Sequence, residues 1–336
     1  MHRPSLIAIV TLLAAGAAPP AFGQHPFEQH EPQEPLEHPV EVAVSIKADD
    51  RWTCRFGLNQ TITTWRQTED RRDDGPPETT RLIQNATIAL RVVSIDEETG
   101  TATIEARFAR LLVIAAADDR QTEFRWSTGS TNKEPNTALE SLLTTLATST
   151  LTARVSPSGA VRGVVGYDGV NEAIQASPEV DRSALGLFAP SAISSTLELV
   201  WKPGAVSGTN RNVLDQWNNV RRASLGQIGG VAVEQSLEVE RIEEGILEAR
   251  GKIALRLLSP ADPPSASVPT IEMVHHGGQM KIAWDLARGC SASASERLEL
   301  DALWALGPVK LGVTMRSERS VALDTPPIGT KKLGED

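Results

Sequence analysis

Period-two alternation, sustained over long stretches, constrains this chain most. In "DRWTCRFGLNQTITTW" the residues Trp52, Cys54, Phe56, Leu58, Gln60 and Ile62 share one side of an extended chain, with Thr enriched toward the end. "TIALRVVSIDEETGTATIEARFARLLVI" shows the pattern twice. Ile88, Leu90 and Val92 lie on one face, and Ala102, Ile104, Ala106 and Phe108 repeat it after the Asp96-Glu97-Glu98-Thr99-Gly100 loop. That reads as a hairpin. "TEFRWS", "STLELVW", "GGVAVEQSLEVERIEEGILEARGKIALRLL", "TIEMVHH", "QMKIAWDLA", "ERLELDALWAL" and "VKLGVTMRSERSVAL" read as further strands, with His275-His276 running into a Gly277-Gly278 turn. The expected fold is mainly β with minor α: curved antiparallel sheets arranged as two similar lobes.

Three stretches break the period. "EPNTALESLLTTLATST" places Leu139, Leu142, Leu143 and Leu146 at i, i+3, i+4 and i+7, with Thr137 and Glu140 at capping-box spacing. A helix over 137–148, packed on a sheet, is predicted. "NEAIQASPEVDRSALGLFAP" holds one or two short helices. "RNVLDQWNNVRRASLG" puts Val213, Leu214, Trp217 and Val220 at helical spacing, with Arg221-Arg222 suited to a helix C-terminus.

The N-terminus assigns a compartment. "MHRPSLIAIVTLLAAGAAPPAFGQ" has a basic start, an apolar run from Leu6 to Ala18 and a small-x-small site at Ala21-Phe22-Gly23. Residues 1–23 read as a signal peptide cleaved after Gly23, with export to the periplasm or beyond; an uncleaved anchor is the alternative. No Cys stands near that site to take a lipid. No later run reaches ~18 uninterrupted apolar residues, so the mature chain is expected not to span a membrane by a helix. Residues 24–40, rich in Pro, Glu, Gln and His, read as a tether. The body divides into lobes over 41–185 and 186–325, followed by a loose tail over 326–336. "SIDEETGTATIEAR" and "RIEEGILEAR" echo each other, and duplication competes with the common look of acidic hairpin loops.

The charge balance and motifs narrow the function classes. The net charge is −10, and loss of residues 1–23 removes Arg3 and no acid. Phosphate-driven binding of nucleic acid is not expected. "LTARVSPSGAVRGVVG" carries Gly159, Gly163 and Gly166, but it lacks the Lys and hydroxyl of a P-loop and the spacing of a dinucleotide fingerprint. It reads as a hairpin in which Gly159 takes positive φ. Gly163 and Gly166 would mark a bend or bulge where another element, such as the 137–148 helix, lies close. No catalytic, cofactor or metal residue is assigned. There is no Gly-x-Ser-x-Gly elbow, and His275 and His276 face opposite sides of a strand. The acids Asp96, Glu97, Glu98, Glu243 and Glu244 leave a carboxylate-dependent hydrolase as an alternative. Cys54 and Cys290 are the only cysteines. In an oxidising compartment a disulfide between them is allowed, and two buried thiols in unrelated strands is the other reading.

The export signal together with "GTATIEARFARL", "LTARVSPSGAVRGVVG" and "GQMKIAWDLARGCSASASERLEL" resembles an uncharacterised family of exported bacterial β-rich proteins, a domain of unknown function. That resemblance implies no activity and no catalytic residues. More loosely, the chain is similar to periplasmic lipoprotein-carrier folds, in which a helix plugs a curved antiparallel sheet around an apolar cavity, and the 137–148 helix is the expected plug. The expected function is a non-catalytic envelope or extracellular binding or scaffold protein. A carrier of an apolar, lipid-like ligand is the alternative, so an apolar ligand or an envelope protein is the expected partner class.

Overall fold

A computed structural model describes residues 38–324, except 69–70, 73–76, 118–119, 130–136, 177–184, 187, 207, 225–229, 259–269 and 307–308. The signal expected at 1–23, most of the tether and the tail over 326–336 lie outside the described residues.

The alternating stretches form long strands. In chain order they are β1 (Val40–Val42), β2 (Arg51–Thr68), β3 (Arg71–Arg72), β4 (Glu78–Ile95), β5 (Ala102–Ala117), β6 (Arg120–Ser127), β7 (Thr150–Val155) and β8 (Val161–Val165). The second run is β9 (Thr209–Arg211), β10 (Gln216–Ser224), β11 (Gly230–Glu243), β12 (Ile246–Leu258), β13 (Thr270–Asp285), β14 (Cys290–Leu306) and β15 (Val309–Asp324). Among the described residues three α-helices interrupt them: α1 (Ala138–Thr148), α2 (Asp168–Ala176) and α3 (Pro190–Trp201). The expected hairpin around Asp96–Gly100 is β4–β5. In α1 the Thr137 hydroxyl accepts from the Glu140 N–H at 3.1 Å, and Leu142, Leu143 and Leu146 are buried where the helix packs on β5 and β6.

All pairings are antiparallel, and thirteen strands join in one sheet of order β10-β11-β12-β13-β14-β15-β2-β4-β5-β7-β8, with β3 on β2 and β6 on β5. The chain starts mid-sheet at β2, meanders outward to β8, crosses through α2 and α3 to β10, and meanders back to β15. There β15 pairs along its length with β2. This is the cyclic order of an up-and-down barrel, left unpaired between β8 and β10.

Two sets of contacts show that the sheet curls. Helix α3 packs both on β8, at one edge, and on β14 and β15. Six strand spacings separate β8 from β14, roughly 29 Å if flat, whereas a helix is about 10 Å across. The sheet must therefore wrap around α3. Ala192, Ile193, Thr196, Leu197, Leu199, Val200 and Trp201 are all buried, so α3 is enclosed on most of its circumference. Trp201 meets the Trp52 ring edge-on at 5.9 Å, and Ser291 Oγ donates to the Leu199 carbonyl at 2.7 Å.

Three expectations are corrected. "STLELVW" is not a strand but the second half of α3, begun by Pro190. A helix enclosed on most of its circumference lacks a clean amphipathic stripe, and Leu197 and Leu199 imitate period two. "RNVLDQWNNVRRASLG" is not a helix. Leu214 takes φ +68, the Asp215 carboxylate accepts from the Asn212 N–H at 2.7 Å, and the chain turns from β9 into β10. The helical spacing arose from Leu214 and Val220, which are both exposed. "TIEMVHH" and "QMKIAWDLA" are one strand, β13, because Gly277-Gly278 does not turn. Gly278 sits opposite Leu298, where a Cβ would overlap the Arg297 carbonyl.

The stretch "LTARVSPSGAVRGVVG" is the β7–β8 hairpin. Gly159 has φ +79 in its turn, and Gly163, φ +76, lies in a bulge opposite Arg154. The close neighbours differ from the expected 137–148 helix. A Cβ on Gly166 would strike the β7 backbone at Thr150, one on Gly159 would strike the Trp201 carbonyl of α3, and one on Gly163 would meet nothing. Gly163→Ala should therefore cost about 1 kcal/mol, from backbone conformation alone. Gly159→Ala should cost about 2 kcal/mol or more, because α3 must also shift. Urea unfolding of the two variants measures the difference, and equal losses would contradict the contact with α3.

Candidate functional site

A charged cluster lies on the concave face, where alternation otherwise places apolar side chains. On β14 the inward positions run Ala294, Glu296, Leu298, Leu300, Ala302 and Trp304; on β15 they run Val313, Met315, Ser317, Arg319, Val321 and Leu323. Glu296 and Arg319 are register partners and their side chains are fully buried. Arg319 Nη2 donates to Glu296 Oε2. Arg221 Nη2 donates to Glu296 Oε1 at 2.7 Å, and Gln235 Nε2 donates to the same oxygen at 2.9 Å. Asn219 donates to the Gln235 side-chain oxygen at 2.7 Å.

Arg221 is on β10 and Glu296 on β14, four strand spacings away, or about 19 Å on a flat sheet. Their contact therefore fastens the curl of the second arm, as α3 fastens the first. Burial pushes the Glu296 carboxyl up, but the Arg221 and Arg319 guanidiniums outweigh it and hold the group below its ordinary value. Burial also pulls Arg319 down from a value so high that it stays a cation at neutral pH. Glu198 on α3 adds a further favourable charge for Arg319 and accepts from the Val161 N–H of β8 at 3.3 Å. An ionised acid held by two cations is a structural clamp and a poor proton donor or acceptor.

The residues singled out from sequence are distributed as follows. Asp96 shapes the β4–β5 turn: its carboxylate accepts from the Thr99 N–H at 2.8 Å and the Glu98 N–H at 3.1 Å, bonds that lower its pKa. Glu243 and Glu244 sit at the β11–β12 turn, where Glu243 pairs with Arg241 at 2.9 Å. These two acidic turns share one rim of the sheet but are separated by β13, β14, β15 and β2. The echo between them does not extend to turn geometry, since the second is a tight turn with Glu244 at φ +50 and Gly245 at φ +79. The closer counterpart of Asp96–Gly100 is Asp285–Gly289. In both, the Asp side chain takes two turn N–H groups, and the glycine four residues on has positive φ and donates back to the Asp carbonyl.

His276 Nδ1 accepts from the Leu255 N–H at 3.3 Å, just beyond the last β12–β13 register pair at Ile253 and Gly278. Cys54 and Cys290 are both buried, with free thiols. No group of metal ligands and no helix long and apolar enough to cross a membrane occurs among the described residues. The charged cluster went unread in the sequence, although its signal was there: Glu296 and Arg319 each occupy an inward phase of an alternating strand.

No protein-family model matches the chain, and no curated protein matches it. Among solved structures, DynF from the dynemicin biosynthesis pathway of Micromonospora chersina is 8% identical, over 89% of this chain and 95% of its own, with a TM-score of 0.17. Ail, the attachment invasion locus protein of Yersinia pestis, is 5% identical over 80% and 98%, with a TM-score of 0.12. A β-barrel-like protein of domain of unknown function DUF1849 from Brucella abortus is 9% identical over 85% and 100%, with a TM-score of 0.13. At these TM-scores the likenesses carry no argument.

Replacing Glu296 tests the clamp. Glu296→Gln leaves two guanidiniums facing each other without their counter-charge and should cost about 3–5 kcal/mol at neutral pH. The folded pKa lies below the unfolded one, so the clamp's contribution is complete above the unfolded value of about 4.3 and fades as pH falls through the folded value. Urea midpoints of the wild type and Glu296→Gln should therefore converge in acid. A constant gap down to strongly acidic pH would contradict the assignment.

Proposed function

We propose that the chain is exported and serves, without catalysis, as a binding or scaffold protein of the bacterial envelope or extracellular space. The observation that carries this reading is the sheet itself: thirteen strands curl around the chain's own helix α3. The acid at the heart of that interior is neutralised by two guanidiniums. Such a core favours a rigid frame over a reaction centre. The basic–apolar–small pattern of residues 1–23 supports export. Kinship with exported β-rich proteins of unknown function rests on the same sequence features and on the mainly β fold.

The carrier reading has an observation of its own. Helix α3 occupies the concave face, the place an apolar ligand takes in a plugged β-cup, and the sheet is unpaired between β8 and β10. A lipid-like chain would enter by displacing α3 from Ile193 to Val200.

Two measurements separate these readings. A reporter active only outside the cytoplasm, fused after residue 324, should be active with residues 1–23 present and silent without them; activity in both or neither would overturn export. Native mass spectrometry of gently purified protein, followed by solvent extraction, should show the bare chain for a scaffold. A co-purified lipid of defined mass would instead establish the carrier.

A further inference from the structure

The convex face of the first arm, β2 to β8, carries charge opposite in sign to that of the whole chain. The protein has a net charge of −10, yet these strands contain no lysine and present arginine after arginine to the outside. The outward phase follows from alternation, since the chain neighbours Leu90, Val92, Ala106, Phe108, Leu111 and Val155 are buried on the other face. Two pairs of arginines are set against each other. Arg51 of β2 is the register partner of Arg91 of β4. On β7, Arg154 faces the β8 bulge that holds Arg162 and Gly163. All four are exposed. Like charges opposite each other on one sheet face are destabilising, and a solvated face needs only polar residues there. Arg91 lies 3.6 Å from the exposed Asp49, and Arg154 is close enough to Asp96 to help lower its pKa. Arg51 and Arg162 have no ion pair among the described residues. The acid between the two pairs, Glu105 of β5, is held by Arg107 at 2.8 Å.

We propose that the pairs Arg51/Arg91 and Arg154/Arg162 are two seats of a binding surface for a linear acidic polysaccharide, each seat taking one carboxylate of the polymer. A guanidinium offers two parallel N–H donors to a carboxylate, which an ammonium does not, and this face uses arginine alone. An anion between two guanidiniums also removes the repulsion that the empty pair carries. In the order β2-β4-β5-β7-β8 the seats are three strand spacings apart, centre to centre, or about 14 Å. The face between them is polar, with Thr103 of β5, Thr152 of β7 and the neutralised Glu105, so a hydrophilic chain lying across the strands reaches both.

Other polyanions fit this face less well. An anionic bilayer would meet the exposed acids Asp96, Glu97 and Glu98 of the adjoining β4–β5 turn, and no aromatic side chain stands among the four arginines to enter lipid. A protein partner would need an apolar centre to dock on, whereas the exposed apolar residues here, Val93 on β4 and Val165 on β8, are separated by β5 and β7. The inference deepens the binding reading proposed above and rests on export only for the compartment in which such polymers are met.

Calorimetric titration of the purified chain with polygalacturonate oligomers at low salt tests the inference. Oligomers long enough to span both seats should bind about tenfold or more tighter than the galacturonate dimer, and added salt should weaken them. Arg51→Gln/Arg91→Gln and Arg154→Gln/Arg162→Gln should each weaken the long oligomer by about tenfold. Arg250→Gln/Arg256→Gln, on the second arm, should leave it unchanged. Urea midpoints of the two seat variants should match or exceed that of the wild type, because a like-charge contact is removed. Absence of binding, an equal loss in the second-arm variant, or lowered midpoints in both seat variants would overturn the assignment. So would binding to phosphatidylglycerol vesicles in place of the oligomers. The titration uses purified protein, so its failure is distinct from a failure of export, which the reporter fusion reads.

Discussion

The contact on which this architecture depends is the double ion pair at Glu296. A meander of long antiparallel strands has no intrinsic reason to stop curling at a given radius, since strand twist sets only the hand of the sheet. Here the radius is fixed from inside. Arg221 reaches across the concave face from edge strand β10 to meet Glu296 on β14, while Arg319 holds the same acid from β15. The other arm curls around a solid object, α3, which is pinned at Leu199 by Ser291 and at Glu198 by β8. One arm is set by charge and the other by packing, and both meet at β14 and β15.

This division explains why the cyclic strand order stays open. Closing a barrel needs β8 to pair with β10, but β8 is held against α3 instead. A helix against the β8 edge supplies apolar burial where a ladder would have supplied hydrogen bonds. Edge strands exposed in this way invite pairing with other chains. They are kept short here: β8 has five residues and β10 has nine, against sixteen to eighteen in β2, β4 and β5.

Much of this was legible in the sequence. Alternation gave the strands, Thr137 and the leucine stripe gave α1, and the turn residues gave the β4–β5 and β7–β8 hairpins. What stayed hidden shares a physical cause. Helix α3 lies inside the sheet and buries residues on most of its circumference, Thr196 among them, so the clean apolar stripe that betrays a surface helix is absent. The edge strand β10 exposes Val220 outward and turns Asn219 and Arg221 inward, the reverse of an ordinary half-buried strand, so its pattern mimicked a helix. Cys54 and Cys290 were picked out by residue type. That they flank one stretch of β15 follows from strand order, and strand order is decided by long-range pairing that local periodicity does not encode.

The same limit bears on why the buried charges are there. Alternation protects a sheet against slipping by one residue, because that turns every apolar side chain to water. It offers nothing against a slip of two, which keeps each face intact, and strands of sixteen or more residues have many such registers. Polar residues at inward positions remove the degeneracy. Moving β15 by two residues against β14 would take the buried Arg319 guanidinium away from Glu296 and break the ion pair inside the core, at a cost above that of a single mismatched apolar contact. Gly312 acts in the same sense on the other side of β15, where the Trp65 ring covers a glycine that no larger residue can replace. Glu296 with Arg319, and Gly312 with Trp65, fix β15 against both neighbours at the seam where the first and last parts of the meander join. The energetic penalty of burying the charges is thereby offset by a single register.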